Sequence, residues 1–548
     1  MSLHRLIAVP LLAVAHGAAL ASYDPASEYV EAAAVARRFP DPDIALSTPG
    51  FAPERHDFTS HAEMLAYLEK IRAGAPDLHL RVVGSSQRGL SIPLAVLARG
   101  AASGADVVKN GRPTVLVIGL QHGNEPAGGE AALAFIEELA SARDDLLGRV
   151  NVLVVPRANP DGARDFVRGL ANGGDVNRDH LLVATPEGAA LASVMREYQP
   201  DVVLDCHEFG VKTRWYEKFG GLQRYDALVQ YATVSNLPRA LTDLADRRFR
   251  VPLEAALDAS GFTHSWYYAS SYDMSDKVVS MGGVVPDTGR NIAGLRNAVS
   301  FLIETRGVGI GRAHFRRRVA THLVAMRAFV RAAAEHADEV VSTLRQVREH
   351  VAASAGRGDI AVIAAATPAR HTIDLVDPST GADRPVEVDW RDALSMTVRL
   401  SRPRPYAYVL AASETRAVSR LALLGVTVER LAADADADVD AERYEVTAMS
   451  ETKKDDVRRN DDDAATSVVR LTTRLVRERV PLRRGDWYVR LDQPLANVVV
   501  AALEPETQSS YAANRMITLP EAAGPGAFLP LVRVAQPIAL PAFQAARD

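Results

Sequence analysis

The stretch Thr114-Val115-Leu116-Val117-Ile118-Gly119-Leu120-Gln121-His122-Gly123-Asn124-Glu125 decides how the rest of the chain is read. Its first seven residues form an apolar run long enough for one buried strand. A helix-like segment, Gly128 to Leu139, follows. A His and a Glu three apart on a strand-to-helix loop can aim an imidazole nitrogen and a carboxylate oxygen at one point. That is two-thirds of a three-ligand metal site with an open position. Taken alone, the pair reads equally well as a polar turn. Its meaning depends on partners further along the chain.

Upstream, Ser60-His61-Ala62-Glu63 has the capping-box pattern, and Met64, Leu65, Leu68 and Ile71 follow at helical spacing. Leu78–Val83 and Ile92–Ala98 read as two strands joined by the polar turn Gly84–Leu90. Downstream, the buried strand Asn151–Val155 runs into the turn Asn159-Pro160-Asp161-Gly162. Glu187–Tyr198 is a helix stopped by Pro200, and the strand Asp201–Cys206 delivers His207 at its C-terminal end. Val299–Glu304 is one more apolar strand, and Phe315–Val351 is helical in two pieces. Strands alternating with helices predict an α/β fold, a mixed sheet flanked by helices with ligands gathered outside the strand ends.

From about residue 357 the texture changes. Short runs rich in Val, Thr and Tyr alternate with Pro and Gly turns: Asp359–Ile363, Leu394–Leu400, Tyr406–Leu410, Val426–Leu431, Val468–Val480, Trp487–Leu491 and Val498–Leu503. With a helix at Glu414–Leu423, residues 357–548 read as a mostly β accessory domain. The charge run Glu451–Asp463 reads as a solvated loop.

A chain of 548 residues holds two or three domains with real cores. The net charge of −5 supplies no basic surface for nucleic acid. Residues 1–21 read as a secretory signal, with Arg5 as the positive start, Leu6–Val14 as the apolar core and Ala19-Leu20-Ala21 as the cleavage site. Export follows, to a periplasmic or secreted location. Pro10, His16 and Gly17 break the run, and no later stretch is long and apolar enough to span a bilayer, so no stable membrane insertion is expected. Residues 22–56 form a lead-in too short for a folded inhibitory domain, so no activation cleavage is expected. Cys206 is the single cysteine, which excludes an internal disulfide. Beside a metal-ligand candidate on a buried strand, it reads as core filler.

His207 completes the set. Two histidines and one glutamate, His122, Glu125 and His207, form a common catalytic zinc triad with a fourth position left for water. A second acidic cluster, Asp434, Asp436, Asp438 and Glu445, has calcium-loop spacing, but Val439 stands where the loop needs glycine. It reads as a solvated loop.

Over roughly Phe58–Thr321 the chain resembles the zinc metallocarboxypeptidases of the carboxypeptidase A/B type. Six ordered motifs carry the resemblance: Gly84-Ser85-Ser86 through Gly89, His122-x-x-Glu125, Asn159-Pro160-Asp161-Gly162, Asp175-Val176-Asn177-Arg178, Asp205-Cys206-His207 and Phe301-Leu302-Ile303-Glu304-Thr305-Arg306. The resemblance implies a catalytic domain over 57–352, in a secreted bacterial-type member with a C-terminal accessory domain. It implies zinc on His122, Glu125 and His207, and Glu304 as the general base toward a zinc-activated water. It further implies that Arg168 steadies the oxyanion, that Asn177 and Arg178 hold the substrate's terminal carboxylate, and that Asp175 fixes the His122 tautomer. The family's mobile tyrosine has no clear match; Tyr267 is the nearest candidate, with Tyr272 behind it. Arg290 lies near the family's side-chain specificity position, where a cation would favour an acidic C-terminal residue or else brace the loop. The implied partner is a peptide with a free C-terminus; the pattern leaves oligomeric state open.

Three other readings share part of the pattern. The succinylglutamate desuccinylase and aspartoacylase deacylases also use a His-x-x-Glu pair, on N-acyl amino acids. A non-catalytic binding protein on this fold is a second, and a carboxypeptidase acting on cell-wall peptides is a third. The Asn-Pro-Asp-Gly turn and the strand ending in Glu304 favour the peptidase over the deacylase. The export reading predicts a mature protein that begins at Ser22, measured by intact mass; retention of Met1 refutes it.

Overall fold

The computed structural model describes residues 23–101, 103–142, 145–271, 273–435, 438–454, 467–538 and 543–545. The signal segment 1–21, Tyr272, Asp436 and most of the charge run 451–463 lie outside the described residues.

The first sheet has eight strands: β1 (Leu78–Ser85), β2 (Ser91–Leu97), β3 (Thr114–Gly119), β4 (Asn151–Val155), β5 (Val202–Gly210), β6 (Ala227–Tyr231), β7 (His264–Trp266) and β8 (Val299–Val308). Their spatial order is β1-β2-β4-β3-β5-β8-β6-β7. The four central strands, β4, β3, β5 and β8, are mutually parallel. Antiparallel strands flank them on both sides. Residues on β3 and β4 are buried throughout, as expected for strands covered on both faces. On one face, Val117, Leu204, Phe301 and Ile303 pack with the helices α1 (His61–Arg72), α2 (Pro126–Ser141) and α5 (Phe315–Glu335). On the other, Leu116, Leu153 and Val203 meet α3 (Pro186–Tyr198) and part of α4 (Gly289–Leu295). The Ser60–Glu63 capping box is formed as expected. The long helical stretch is split, with α6 (Ala337–Ala353) following α5.

Two strands outrun their expected ends. β5 continues three residues beyond His207, and β8 four beyond Glu304. The polar residues at these ends stay in the ladder because β5 and β8 pair with each other to Arg306 and Phe209, and then across a bulge.

The C-terminal part is mostly β, as expected, and packs closely on the catalytic half. β9 (Asp359–Val376) and β10 (Asp383–Pro403) form one long hairpin. It pairs with Leu222–Gln223 at one edge and with Val278–Ser280 at the other, both from the catalytic half. A third sheet holds β11 (Ala407–Leu410), β12 (Glu429–Leu431), β13 (Val439–Lys453), β14 (Ser467–Val480), β15 (Trp487–Arg490), β16 (Phe528–Val534) and β17 (Phe543–Ala545). Its helices are α7 (Thr415–Leu423) and α8 (Ala496–Leu503). Expected as a strand, Val498–Leu503 is α8. A continuous apolar run has no periodicity to separate buried helix from buried strand, and here all of it but Ala501 lies inside a joint core. That core sets Val234, Ile292 and Leu295 against Val362, Tyr408, Val500 and Tyr511. A second joint core sets Trp215, Tyr267 and Leu302 against Leu375, Val388 and Trp390.

Polar clips reinforce the seam. Asn236 exchanges two 2.9 Å hydrogen bonds with the backbone of Ala361. Asn497 Nδ2 donates to Asn236 O at 2.8 Å, and Tyr511 donates to Leu181 O at 3.2 Å. Lys454 and Asp287 form a 2.8 Å ion pair, both nearly inaccessible.

The lead-in is ordered along its length and ties into the body. Val35 and Phe39 pack with Val211, Leu222 and Val376. Glu31 accepts from Arg306 at 3.1 Å and lies 3.0 Å from His314 Nε2. Burial pushes the Glu31 carboxyl up, but His314 and Arg306 outweigh it and hold it down at about 2, below the ordinary 4.5. A lowered carboxylate contributes stability that is complete above its unfolded value and is lost as pH falls toward the folded one. Glu31→Gln is expected to cost about 3 kcal/mol at neutral pH, because it leaves the buried Arg306 without its anion. It should also flatten the loss of stability between pH 4.5 and about 2; denaturant titrations across that range check both.

Candidate active site

The ligand loop leaves β3 through Leu120, a leucine with φ of +56°, in a region non-glycine residues rarely occupy. Two glycines let this loop touch the Asn159–Gly162 turn. A Cβ on Gly123 would lie 1.9 Å from the carbonyl carbon of Gly162, and one on Gly162 would lie 2.4 Å from Asn159 Nδ2. That turn is the start of a short helix, Pro160–Asp165, with Asn159 capping it through Gly162 N at 2.8 Å. Glu125 then sits at the N-cap of α2, where the missing intrahelical partners and the helix dipole favour an anion.

His122, Glu125 and His207 come together with their donor atoms within 4.8 Å of one another, and all three are buried. Among the described residues they are the only such group of three or more. The two Nδ1 atoms face each other at 3.1 Å. Glu125 places one oxygen 2.8 Å from His122 Nδ1 and the other 2.9 Å from His207 Nδ1. The far nitrogens are anchored: His122 Nε2 lies 3.1 Å from Asp175, and His207 Nε2 lies 3.0 Å from Asp205. Carboxylates behind both rings leave the facing nitrogens as lone-pair donors, an arrangement that fits zinc.

Burial pushes Glu125 up, but the His122 and His207 rings hold it below the ordinary carboxylate range. Burial pushes His207 toward neutrality, but Asp205 and Glu125 outweigh it and raise it to about 10. Burial likewise opposes Asp175, which Arg168 and His122 keep well below its usual value.

Glu304 is paired in register with His207 on the neighbouring parallel strand. Register partners project from the same face of a sheet, so the carboxylate and the imidazole share a face. Glu304 is buried. Arg168 donates to Asp175 at 2.8 Å, to His122 Nδ1 at 3.2 Å and to Glu125 at 3.4 Å, and so stands at the rim of the ligand group. Asn177 is committed inward: its Nδ2 lies 3.1 Å from His207 Nε2, and its Oδ1 accepts Gly289 N at 2.8 Å. Arg178 donates to the carbonyl of Asn177 at 2.7 Å and lines a cavity of about 710 Å³ with Asn177, Tyr267 and Arg290. Tyr267 is buried, with its ring against Gly282, where an added Cβ would meet it at 2.9 Å. Arg290 is buried too, and its guanidinium donates to Gln230, Thr233, Asn291 and the carbonyl of Gly283. It braces the loop before α4.

Sequence reasoning assigned no role to a layer of supporting residues. Gln121 Nε2 donates to Asp205 at 2.6 Å, and Gln121 Oε1 lies 2.8 Å from His180 Nε2. On the opposite sheet face, Glu208 accepts from Ala127 N at 2.9 Å and from Arg318 at 2.7 Å, while its own N–H donates to Glu125 at 3.1 Å. The alternation Asp205-Cys206-His207-Glu208 was the available signal, since period two sends Asp205 with His207 and Glu208 with the helices. Cys206, on the helix side, is inaccessible, and burial raises its thiol well above the ordinary value. Among the described members of the acidic cluster, Glu445 pairs with Arg474 and Gly526 N, and Asp434 accepts from Arg484 N.

His207→Ala or Glu125→Ala should lose stoichiometric zinc by elemental analysis. Asp175→Asn should weaken zinc by roughly 10–100-fold, because it loosens His122 without removing a ligand. Because a proton on His207 competes for the same nitrogen, zinc affinity should fall as pH is lowered.

A family model described as zinc carboxypeptidase matches residues 64–178. "Carboxypeptidase 2" of Trichophyton equinum is 28% identical over 512 residues, covering 90% of this chain and 93% of the relative. "Carboxypeptidase 2" of Trichophyton rubrum is 29% identical over 440 residues, 79% of each. Among solved structures, a metallo-carboxypeptidase from Pseudomonas aeruginosa aligns at 20% identity and a TM-score of 0.38, over 50% of this chain and 70% of that one. Carboxypeptidase A from Helicoverpa armigera aligns at 17% identity and 0.38, over 51% and 75%. The matched segment contains His122 and Glu125, the relatives extend the likeness along nearly the whole chain, and the fold brings His207 to the pair: the chain is a zinc metallopeptidase similar to the zinc carboxypeptidases.

Proposed function

We propose that the protein removes single residues from the free C-terminus of peptides, with zinc held by His122, Glu125 and His207 and with Glu304 as general base. The observation that carries this reading is the register of β5 and β8, which sets Glu304 beside His207. The names of the curated relatives, all carboxypeptidases, support the reaction class over N-acyl amino acid deacylation.

Zinc, when bound, supplies a Lewis acid that polarises a carbonyl oxygen and lowers the pKa of water. The chain's residues do the rest. A carboxylate oxygen of Glu304 takes the proton of the attacking water and hands it to the leaving amine, so one group serves as base and then as acid. Glu304 is buried and stands in register with the ligand His207. Arg168, held by Asp175, offers N–H donors at the rim where negative charge develops on the attacked oxygen. Arg178 receives the terminal carboxylate by a charge-assisted pair, which restricts cleavage to the last peptide bond. Asn177, bonded to His207 and Gly289, locks the wall that carries Arg178. Tyr267 and Arg290 shape the pocket from below, Arg290 as a brace for the loop 283–288. Export by the segment 1–21 places this activity outside the cytoplasm.

The test is a digest of peptides that differ only at the last residue. Wild type should release that residue, and C-terminally amidated versions should resist. Glu304→Gln should keep its zinc and lose about 10²–10⁴-fold in kcat, the usual worth of a positioned general base. If zinc-loaded wild type shortens no peptide, the proposal fails.

A further inference from the structure

The loop 281–288, between the strand Val278–Ser280 and α4, belongs to the catalytic half but is fastened to the C-terminal half at both ends. At its start, Val278–Ser280 runs parallel to Asp389–Arg391 of β10, and Met281 N donates to Arg391 O at 3.1 Å. At its end, Asp287 Oδ2 lies 2.8 Å from Nζ of Lys454, the residue after β13. The Asp287 side chain is 2% exposed and that of Lys454 9%, so solvent screens this pair far less than a surface one. Residues 282–288 all line the cavity that holds Arg178.

The loop depends on its attachments. It begins with Gly282, at a φ of +86°, and Gly283, two residues that leave the backbone free to take many paths. Asn291 Nδ2 grips the near part, donating to Gly283 O at 3.1 Å and to Val285 O at 2.9 Å. The grip on residue 287 comes from Lys454. Two residues further on, Gly289 N donates to Asn177 Oδ1 at 2.8 Å. Gly289 is wedged there: an added Cβ would lie 2.9 Å from His180 Nε2 and 3.2 Å from Asp205 Oδ2. A shift at Asp287 is therefore passed to Asn177, and Arg178 is both next in the chain and bonded to the Asn177 carbonyl at 2.7 Å.

We infer that Lys454 of the C-terminal half is a positioning residue for the carboxylate clamp: through Asp287 it fixes the loop 281–288, and the loop fixes Asn177 and Arg178. This rests on the carboxypeptidase reading above. Lys454 touches no substrate in this account. Removing its charge leaves Asp287 buried beside an apolar partner, and the loop end moves to bring that carboxylate to water. The Gly289–Asn177 bond then loosens, and the clamp loses the placement on which binding of a terminal carboxylate depends.

The experiment compares wild type, Lys454→Met, Asp287→Asn and the double variant on a peptide with a free C-terminus, with circular dichroism and zinc content as controls. Lys454→Met should raise KM by about tenfold or more and leave kcat within about threefold, the pattern of lost binding rather than lost chemistry. Asp287→Asn should do the same in smaller measure. The double variant should be no worse than the worse single, because the two side chains act as one unit. An unchanged KM in Lys454→Met, a loss confined to kcat, or additive losses in the double variant overturns the inference. If wild type shortens no peptide, calorimetry with the free-acid and amidated forms of one peptide separates the two readings. Tighter binding of the acid by wild type, lost in Lys454→Met, keeps the positioning role while the reaction fails. The same margin in Lys454→Met, or equal binding of the two forms by wild type, overturns the role itself.

Discussion

Three donor atoms held within 4.8 Å of one another, two imidazole nitrogens and a carboxylate, are the constraint this structure is built to meet. Buried polar atoms that close are costly unless each is fixed and a cation is meant to lie among them. The fold fixes them from three sides. β3 leads into a leucine of positive φ and a glycine-permitted close approach, Glu125 caps α2, and β5 carries His207 in register with Glu304 of β8. Asp175 and Asp205 then hold the far nitrogens. Polar groups gather at the C-terminal ends of the central parallel strands, where open α/β sheets generally place their ligands.

The opposite face of the same strands is held as firmly. Glu208, one residue past His207, collects Arg318 from α5, Ala127 N from α2 and Thr305 from β8. The two helices that cover the sheet are therefore tied, through one carboxylate, to the strand that carries a zinc ligand. Stability and site geometry share this network, so substitutions at Glu208 or Arg318 act on both.

The C-terminal half is bound into the enzyme by shared sheets, two joint hydrophobic cores and a set of side-chain clips. Seams between loosely linked domains are usually more polar and leave relative motion free. Here apolar packing closes the seam, so the cavity it encloses is a fixed shape. Arg290 fits the same picture, since its guanidinium is engaged in bracing a loop between the two halves.

Much of the catalytic half was legible in the sequence. The apolar run Thr114–Leu120 announced a buried strand to within one residue and Asn151–Val155 one to the residue, and His122, Glu125, His207 and Glu304 stood at or near strand ends because such ends carry the chemistry. Reading failed where local pattern carries no directional information. Val498–Leu503 is apolar at every position, so only the packing around it makes it a helix. Glu445 and Glu451, expected on solvated loops, lie on strand β13, paired along its length with β14. The sequence by itself determined the ligand set, the general-base candidate and the α/β architecture, since these depend on residue type and short-range spacing. Only the tertiary structure decided that Gln121, His180 and Glu208 support the site and that residues of α8 line the cavity that holds Arg178. Those roles arise from contacts between segments up to several hundred residues apart, and nothing in local periodicity encodes which faces will meet.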